Sequence, residues 1–258
     1  MVLLHFVDLA PDLAALNALG GFFVLRTTMD PSAGPATALP TLGRAYAGTT
    51  ADDRDPLADP MGFRVRKVAT ALRAPEARIA ASIAHLGLAA RLWSTALGCA
   101  VLYGRIPDLD PRLLRWDPDA GAPDDLWLTE VRSLPADAST VADVVVDAHL
   151  APLEALLRTR HGLASGLLRG NAASALAGAV RELDRWARAA GRAEAAARTR
   201  ALAGELLARP RLAGTGTLEG TAFRRRSCCL YYRVPGGGLC GDCCFTRPPG
   251  PSPRAASG

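Results

Sequence analysis

Apolar and polar positions along this chain alternate in blocks that read mostly as helices. Residues 8–19 form the first such block, and Gly20-Gly21 closes it. Phe22 to Leu25 is apolar and short enough for a strand. From Thr27 to Pro60 the hydrophobic period disappears among Gly, Pro, Thr and Asp, which predicts a long loop. Helices resume at 62–72 and again from Pro75, whose missing N–H suits a first helical position. The latter helix is expected to reach Tyr103, with Gly87 or Gly98 as the place for a break. Leu113–Trp116 and Leu126–Glu130 flank a turn rich in Asp, Pro and Gly and predict a small hairpin. Further helices are expected over 141–158, interrupted near Pro152, over 172–190 with Gly170 or Asn171 as cap, and over 192–208. Gly214, Gly216 and Gly220 then mark a linker, and no long internal repeat is visible.

Composition sharpens this picture. Hydrophobic residues make up 49% of the 258 and aromatics only 5%, so the core rests on Ala, Leu and Val, which favours packed helices. The most apolar stretch, 79–104, contains His85 and Arg91 and lacks about 20 uncharged apolar residues in a row. It reads as a buried core helix, not a membrane span. The N-terminus has no basic segment before its short apolar run, so no secretory signal is expected and the cytoplasm is the default location. The net charge is +5, and Lys67 is the only lysine among the 30 basic residues. Acidic residues are spread through the same chain, so no nucleic-acid partner is expected.

Cysteine placement carries the chemistry. Cys99 sits alone in the apolar stretch and reads as a small hydrophobe. The other five, Cys228, Cys229, Cys240, Cys243 and Cys244, lie within 17 positions. Disulfides suit a chain without an export signal poorly. Cys240-Gly-Asp-Cys243 is a normal half of a zinc site, but the other half is an adjacent pair. Neighbouring side chains of an extended segment point apart, so both reach one centre only if the backbone turns there. An iron–sulfur group is the alternative, and spacing alone leaves both metals open. Pro235-Gly236-Gly237-Gly238 is expected to bring backbone N–H groups near sulfur. Tyr231 and Tyr232 read as a cover over the site or as ordinary packing.

Cys-Cys, ten residues, Cys, two residues, Cys, with Tyr-Tyr-Arg and Pro-Gly-Gly-Gly-Leu-Cys-Gly-Asp-Cys inside, resembles the C-terminal signature of the FhuF-like ferric-siderophore reductases. Ala90-Arg91-Leu92-Trp93-Ser94, Pro107-Asp108-Leu109 and Leu168-Arg169-Gly170-Asn171-Ala172-Ala173-Ser174 are similar to segments of the family's helical domain. The resemblance implies Cys228, Cys229, Cys240 and Cys243 as ligands of a [2Fe–2S] cluster. It also implies an enzyme that reduces Fe(III) in a siderophore complex by one electron and releases Fe(II) in the cytoplasm. Two positions depart from the family pattern: Cys244 stands where proline is usual, and Arg169 where an aromatic is expected before Gly170-Asn171.

No nicotinamide fingerprint is present, so an external donor is implied, a ferredoxin-like protein or a flavin reductase. A siderophore importer at the inner face of the membrane is a further expected partner. Arg224, Arg225, Arg226 and Arg233 are expected to attract an anionic siderophore or acidic donor, or to raise the cluster's potential; the alternative is a solvated basic turn. His5, His85, His149 and His161 are widely spaced and read as structural, and Trp93, Trp116, Trp127 and Trp186 as core or interface residues. No nucleophilic triad or carboxylate pair stands out.

The expected architecture is mainly α. A helical domain with a minor β hairpin spans 1–220, a Cys-rich lobe 221–247 and a disordered tail 248–258. Two other readings remain at this level: a non-catalytic zinc-binding interaction protein, and a cluster-holding siderophore or redox sensor.

Overall fold

The computed structural model describes residues 9–28, 34–48 and 55–249. The expectation for the N-terminal eight residues, and most of that for the tail, lies outside them.

The fold is built around α4 (Ala77–Tyr103), which packs most extensively on α7 (Ser165–Ala189). Small residues make this crossing close. Ala80, Ala81, Ala84 and Ala89 on α4 are buried, as are Ala172, Ala173, Ala175, Ala177 and Ala179 on α7. The Trp93 indole N–H then reaches across to donate to the Ala172 carbonyl at 3.0 Å. α3 (Pro60–Leu72) flanks α4, and α8 (Ala193–Leu207) flanks α7. By length and composition α4 could cross a membrane, yet 72% of its most apolar window is buried inside this fold. It is the core helix that the sequence predicts.

Three helical segments abut over Ala138–His161: α5 (Ala138–Ala142), a π turn (Asp143–Leu150) and α6 (Ala151–His161). Pro152 does not break the run. It lacks the N–H that an α turn would need, and the widened π turn precedes it. α1 (Ala10–Ala15) covers one end of α4.

The strands are short. β1 (Arg26–Thr27) runs parallel to β4 (Leu126–Leu128), which pairs antiparallel with β3 (Leu114–Trp116). The predicted hairpin is therefore present, with Leu114 opposite Leu128 and Trp116 opposite Leu126. β2 (Arg105–Pro107) pairs with β5 (Ser133–Pro135), and β6 (Gly216–Glu219) with β7 (Ala222–Arg225).

Several boundaries differ from expectation. The strand placed at Phe22–Leu25 lies just beyond it, at β1. The long loop contains α2 (Leu42–Ala47), capped by the Thr41 hydroxyl, which accepts from the Arg44 N–H at 3.2 Å. α4 starts after Pro75 and runs unbroken through Gly87 and Gly98. A Cβ on Gly98 would stand 3.0 Å from Phe23 and 3.1 Å from Leu16, so that glycine serves close packing. α7 begins at Ser165, which leaves Asn171 inside the helix instead of capping it. The expected linker is β6, and the boundary drawn at 220/221 falls in the β6–β7 turn, where Gly220 takes φ +62°.

Candidate metal centre

The Cys-rich lobe leaves the helical body through β7. A strand points successive side chains to opposite faces. Arg224 and Arg226 are accordingly exposed, whereas Arg225 turns inward and is 2% exposed. Of the four lobe arginines expected to meet an anionic partner or to raise the cluster's potential, Arg225 is therefore the one turned into the protein, where it lines the cavity beside the lobe. The Arg225 backbone N–H donates to the Asp242 carbonyl at 3.0 Å, so the strand closes on the Cys240–Cys243 loop. Arg233 is half-buried and paired with Glu76 at 2.6 Å.

The turn that an adjacent cysteine pair requires comes at Leu230. This residue takes φ +71°, a left-handed conformation that costs a non-glycine residue about 1–2 kcal/mol. The turn lets the Leu230 N–H donate to Cys228 Sγ at 3.2 Å. A 3-10 turn follows at Tyr231–Arg233, and the Tyr231 N–H bonds to Cys229. The Phe245 N–H donates to Cys243 Sγ at 3.4 Å. The donors to sulfur at Cys228, Cys229 and Cys243 thus come from residues two positions further on, not from the glycine run. Those glycines have another task. Gly237 donates to the Val234 carbonyl at 2.7 Å, and a Cβ there would stand 2.7 Å from the Tyr231 carbonyl oxygen. Tyr232 meets the Phe245 ring edge-on at 5.8 Å.

The five thiols of the lobe lie close to one another. Cys228 and Cys240 both donate to Cys229, and Cys243 contacts Cys244. Among the described residues, no three His, Cys, Asp or Glu side chains close on a single-ion point. The bonds from Cys228 and Cys240, helped by the Tyr231 N–H and the Arg225 charge, hold the Cys229 thiol far below its usual range. The two thiols that donate to it are pushed up in consequence. Burial and the Cys243 charge raise Cys244. Clustered sulfur, three main-chain N–H groups directed at it and a buried guanidinium make a donor set that fits an anionic thiolate-bound metal group. Cys99 lies apart in α4, fully buried, as a small hydrophobe.

Polar bridges hold the lobe to the helices. The Ser82 hydroxyl of α4 donates to the Cys229 carbonyl at 2.8 Å. Asn171 of α7 donates to the Ser82 carbonyl at 2.9 Å and hydroxyl at 3.0 Å, and accepts from Arg225 at 2.8 Å. Asp242 accepts from the Ser174 hydroxyl at 2.5 Å and from Arg181 at 2.7 Å. A Cβ at Gly170 would stand 2.2 Å from Ser227 Oγ. Ser82, Arg181 and Asp242 were not expected as site residues. Gly170 and Asn171 were expected as a helix cap and, with Ser174, as part of a family-like segment, not as contacts of the lobe.

Beside the lobe lies a cavity of about 580 Å³, within the usual range for a ligand site. Cys240 and Gly241 form part of its wall, α4 and α7 contribute Leu86, Ala90, Ala175 and Gly178, and Phe22 and Phe23 close the far side. Arg91 fixes that far side. Its guanidinium donates to the carbonyls of Gly21 at 3.2 Å, Phe22 at 2.5 Å and Val24 at 2.8 Å, and pairs with buried Asp125 at 2.8 Å.

Residues 225–245 match the family model of the FhuF 2Fe-2S C-terminal domain. The lobe is similar to the FhuF 2Fe-2S domain. Its matched span opens on buried Arg225 and ends on Phe245, whose N–H reaches Cys243. The cofactor this domain indicates is a [2Fe–2S] cluster, and the FhuF resemblance read from the motif holds where the sulfurs lie. The model does not extend over the helical body, and no curated protein matches the chain.

Proposed function

We propose that this protein is a ferric-siderophore reductase, with Cys228, Cys229, Cys240 and Cys243 as the ligands of its cluster. When bound, the [2Fe–2S] group supplies one-electron reducing power. The observation that carries the reading is the position of Cys240, one of these four cysteines, in the wall of a ligand-sized cavity. A siderophore complex seated there lies against a sulfur side chain with no helix between them.

The cavity binds and orients. Leu86, Ala90, Ala175 and the Phe22–Phe23 wall offer apolar surface. Asp242, which borders it, is already bonded to Arg181 and Ser174, so the loop carrying Cys240 stays in place. The Cys229 carbonyl is held by the Ser82 hydroxyl of α4. Fe(III) in the complex takes up one electron and becomes Fe(II). Hard anionic oxygens then hold the ion far less tightly, and it leaves. The electron comes from a separate donor, a ferredoxin-like protein or a flavin reductase, in the cytoplasm.

Protein purified without oxygen and reduced with one equivalent of dithionite tests this. It would be mixed with a ferric trihydroxamate and, separately, a ferric triscatecholate, with a colour-forming Fe(II) chelator as trap. Chelated Fe(II) in step with bleaching and recovery of the visible spectrum supports the reductase. A cluster-loaded protein that neither complex reoxidises points to the sensor reading. A colourless protein carrying one zinc overturns the mechanism.

A further inference from the structure

We infer that Arg225 is the buried counter-charge of the cluster and raises the cluster's affinity for an electron. This rests on the [2Fe–2S] assignment of the lobe.

Two arginines among the described residues are almost wholly buried, and they differ in one respect. Arg91 is neutralised by Asp125 at 2.8 Å. Among the described residues, the Arg225 guanidinium bonds to neutral groups: the Ser227 carbonyl, the Leu167 carbonyl at 3.2 Å, the Asn171 side-chain oxygen at 2.8 Å and the Ser227 hydroxyl at 3.5 Å. Its Nη1 has no hydrogen-bond partner among the described residues. The lobe's own acidic residue, Asp242, turns its carboxylate to Arg181 and Ser174. A cation this deep without an anion is expensive to bury.

The groups around it say what the anion is. The Arg225 backbone N–H donates to the Asp242 carbonyl within the Cys240–Cys243 loop, its side chain shares the cavity wall with Cys240, and its charge also reaches the His85 imidazole of α4. His85 is itself fully buried, with Nδ1 unpartnered among the described residues, and held neutral. It supplies no negative charge. Thiolates bound to a [2Fe–2S] group do. That group is a net anion whose charge grows by one on reduction, so a fixed cation nearby favours the reduced form. The surface arginines cannot do the same, because water screens them. Asn171 is then a positioning residue: it holds the guanidinium fork by its oxygen while its amide grips α4.

The experiment compares the loaded wild-type protein with Arg225→Lys and Arg225→Met. Iron and sulfide are counted first, and the midpoint potential is read by EPR of the reduced cluster at fixed pH. Arg225→Met is expected to lower the one-electron equilibrium constant at least tenfold, about 59 mV. Arg225→Lys, which keeps the charge, should stay within threefold of wild type. A purely scaffolding arginine would instead make the two variants alike, and a fully loaded Arg225→Met with an unmoved potential overturns the inference. Should Arg225→Met fail to hold the cluster, thermal melting of the cluster-free proteins decides. Both variants lose the guanidinium's hydrogen bonds, so relief of an uncompensated charge predicts Arg225→Met at or above Arg225→Lys; Arg225→Met melting clearly below Arg225→Lys overturns it. Wild-type protein without iron and sulfide would remove the cluster assignment itself, which is a separate failure.

Discussion

Asn171 is fully buried in the middle of α7 and satisfies groups on two other elements. Replacing it with Ala leaves Ser82 and Arg225 short of partners in a dry site. The expected loss is about 1–3 kcal/mol for each group left unmet, read as an earlier urea midpoint with an unchanged slope, together with faster cluster loss to an iron chelator. His149 makes a second prediction at this scale. It is fully buried between the Tyr46 hydroxyl at 2.8 Å and the Leu109 carbonyl at 2.5 Å. Desolvation pushes its pKa down to about 4, against the smaller opposing effects of the Leu109 carbonyl and Asp110. The unfolded chain therefore takes up a proton first as pH falls. Stability is complete above about 6.5 and is lost between there and about 4, by about 3 kcal/mol from this residue. His149→Asn should flatten that part of the pH–stability curve relative to wild type, and an unchanged slope would count against it. The structural role expected for this histidine agrees with its bonds. The inward turn of Arg225 was harder to see, because three consecutive arginines look alike until the β6–β7 register sorts them into faces.

Among the elements, α7 shows best why glycine misleads. Gly170 was offered with Asn171 as the cap of a helix starting at 172, yet the helix starts at Ser165 and runs through Gly166 and Gly170. Gly170 is absent a side chain because β7 and Ser227 occupy that space. Gly170→Ala should displace the lobe and reduce the cluster content of purified protein. Removing the hydroxyl with it, in Gly170→Ala/Ser227→Ala, should restore part of the loss, and the pair should depart from additivity. Strict additivity would show that the clash lies elsewhere. The long apolar helices, the β3–β4 hairpin and the four-cysteine spacing were legible because each is a local pattern. α2 was not, since six residues held by one threonine cap and by contacts with distant chain leave too short a period to read. The bridges from Ser82 and Asp242 were invisible for a related reason: each joins partners more than sixty positions apart.

At the scale of the whole molecule, the cavity couples the helical body to the sulfur lobe. Gly178 lines it, and only Arg181 Nη2, at 3.8 Å, lies within reach of an added Cβ. Gly178→Trp should therefore fold, retain its cluster and keep its EPR signal, while Fe(II) release from a ferric siderophore falls at least tenfold. Equal turnover in this variant would place the substrate outside the cavity.

Arg91 holds the far wall by three carbonyl oxygens, which every amino acid possesses. The path of that segment is thus indifferent to the side chains it displays. Phe22, 48% exposed at the cavity mouth, occupies a slot whose occupant can be exchanged while the frame stays put. Variation at 22 retunes which molecules enter, whereas variation at 91 dismantles the doorway, so a library built at the first position explores selectivity with the rest of the protein intact.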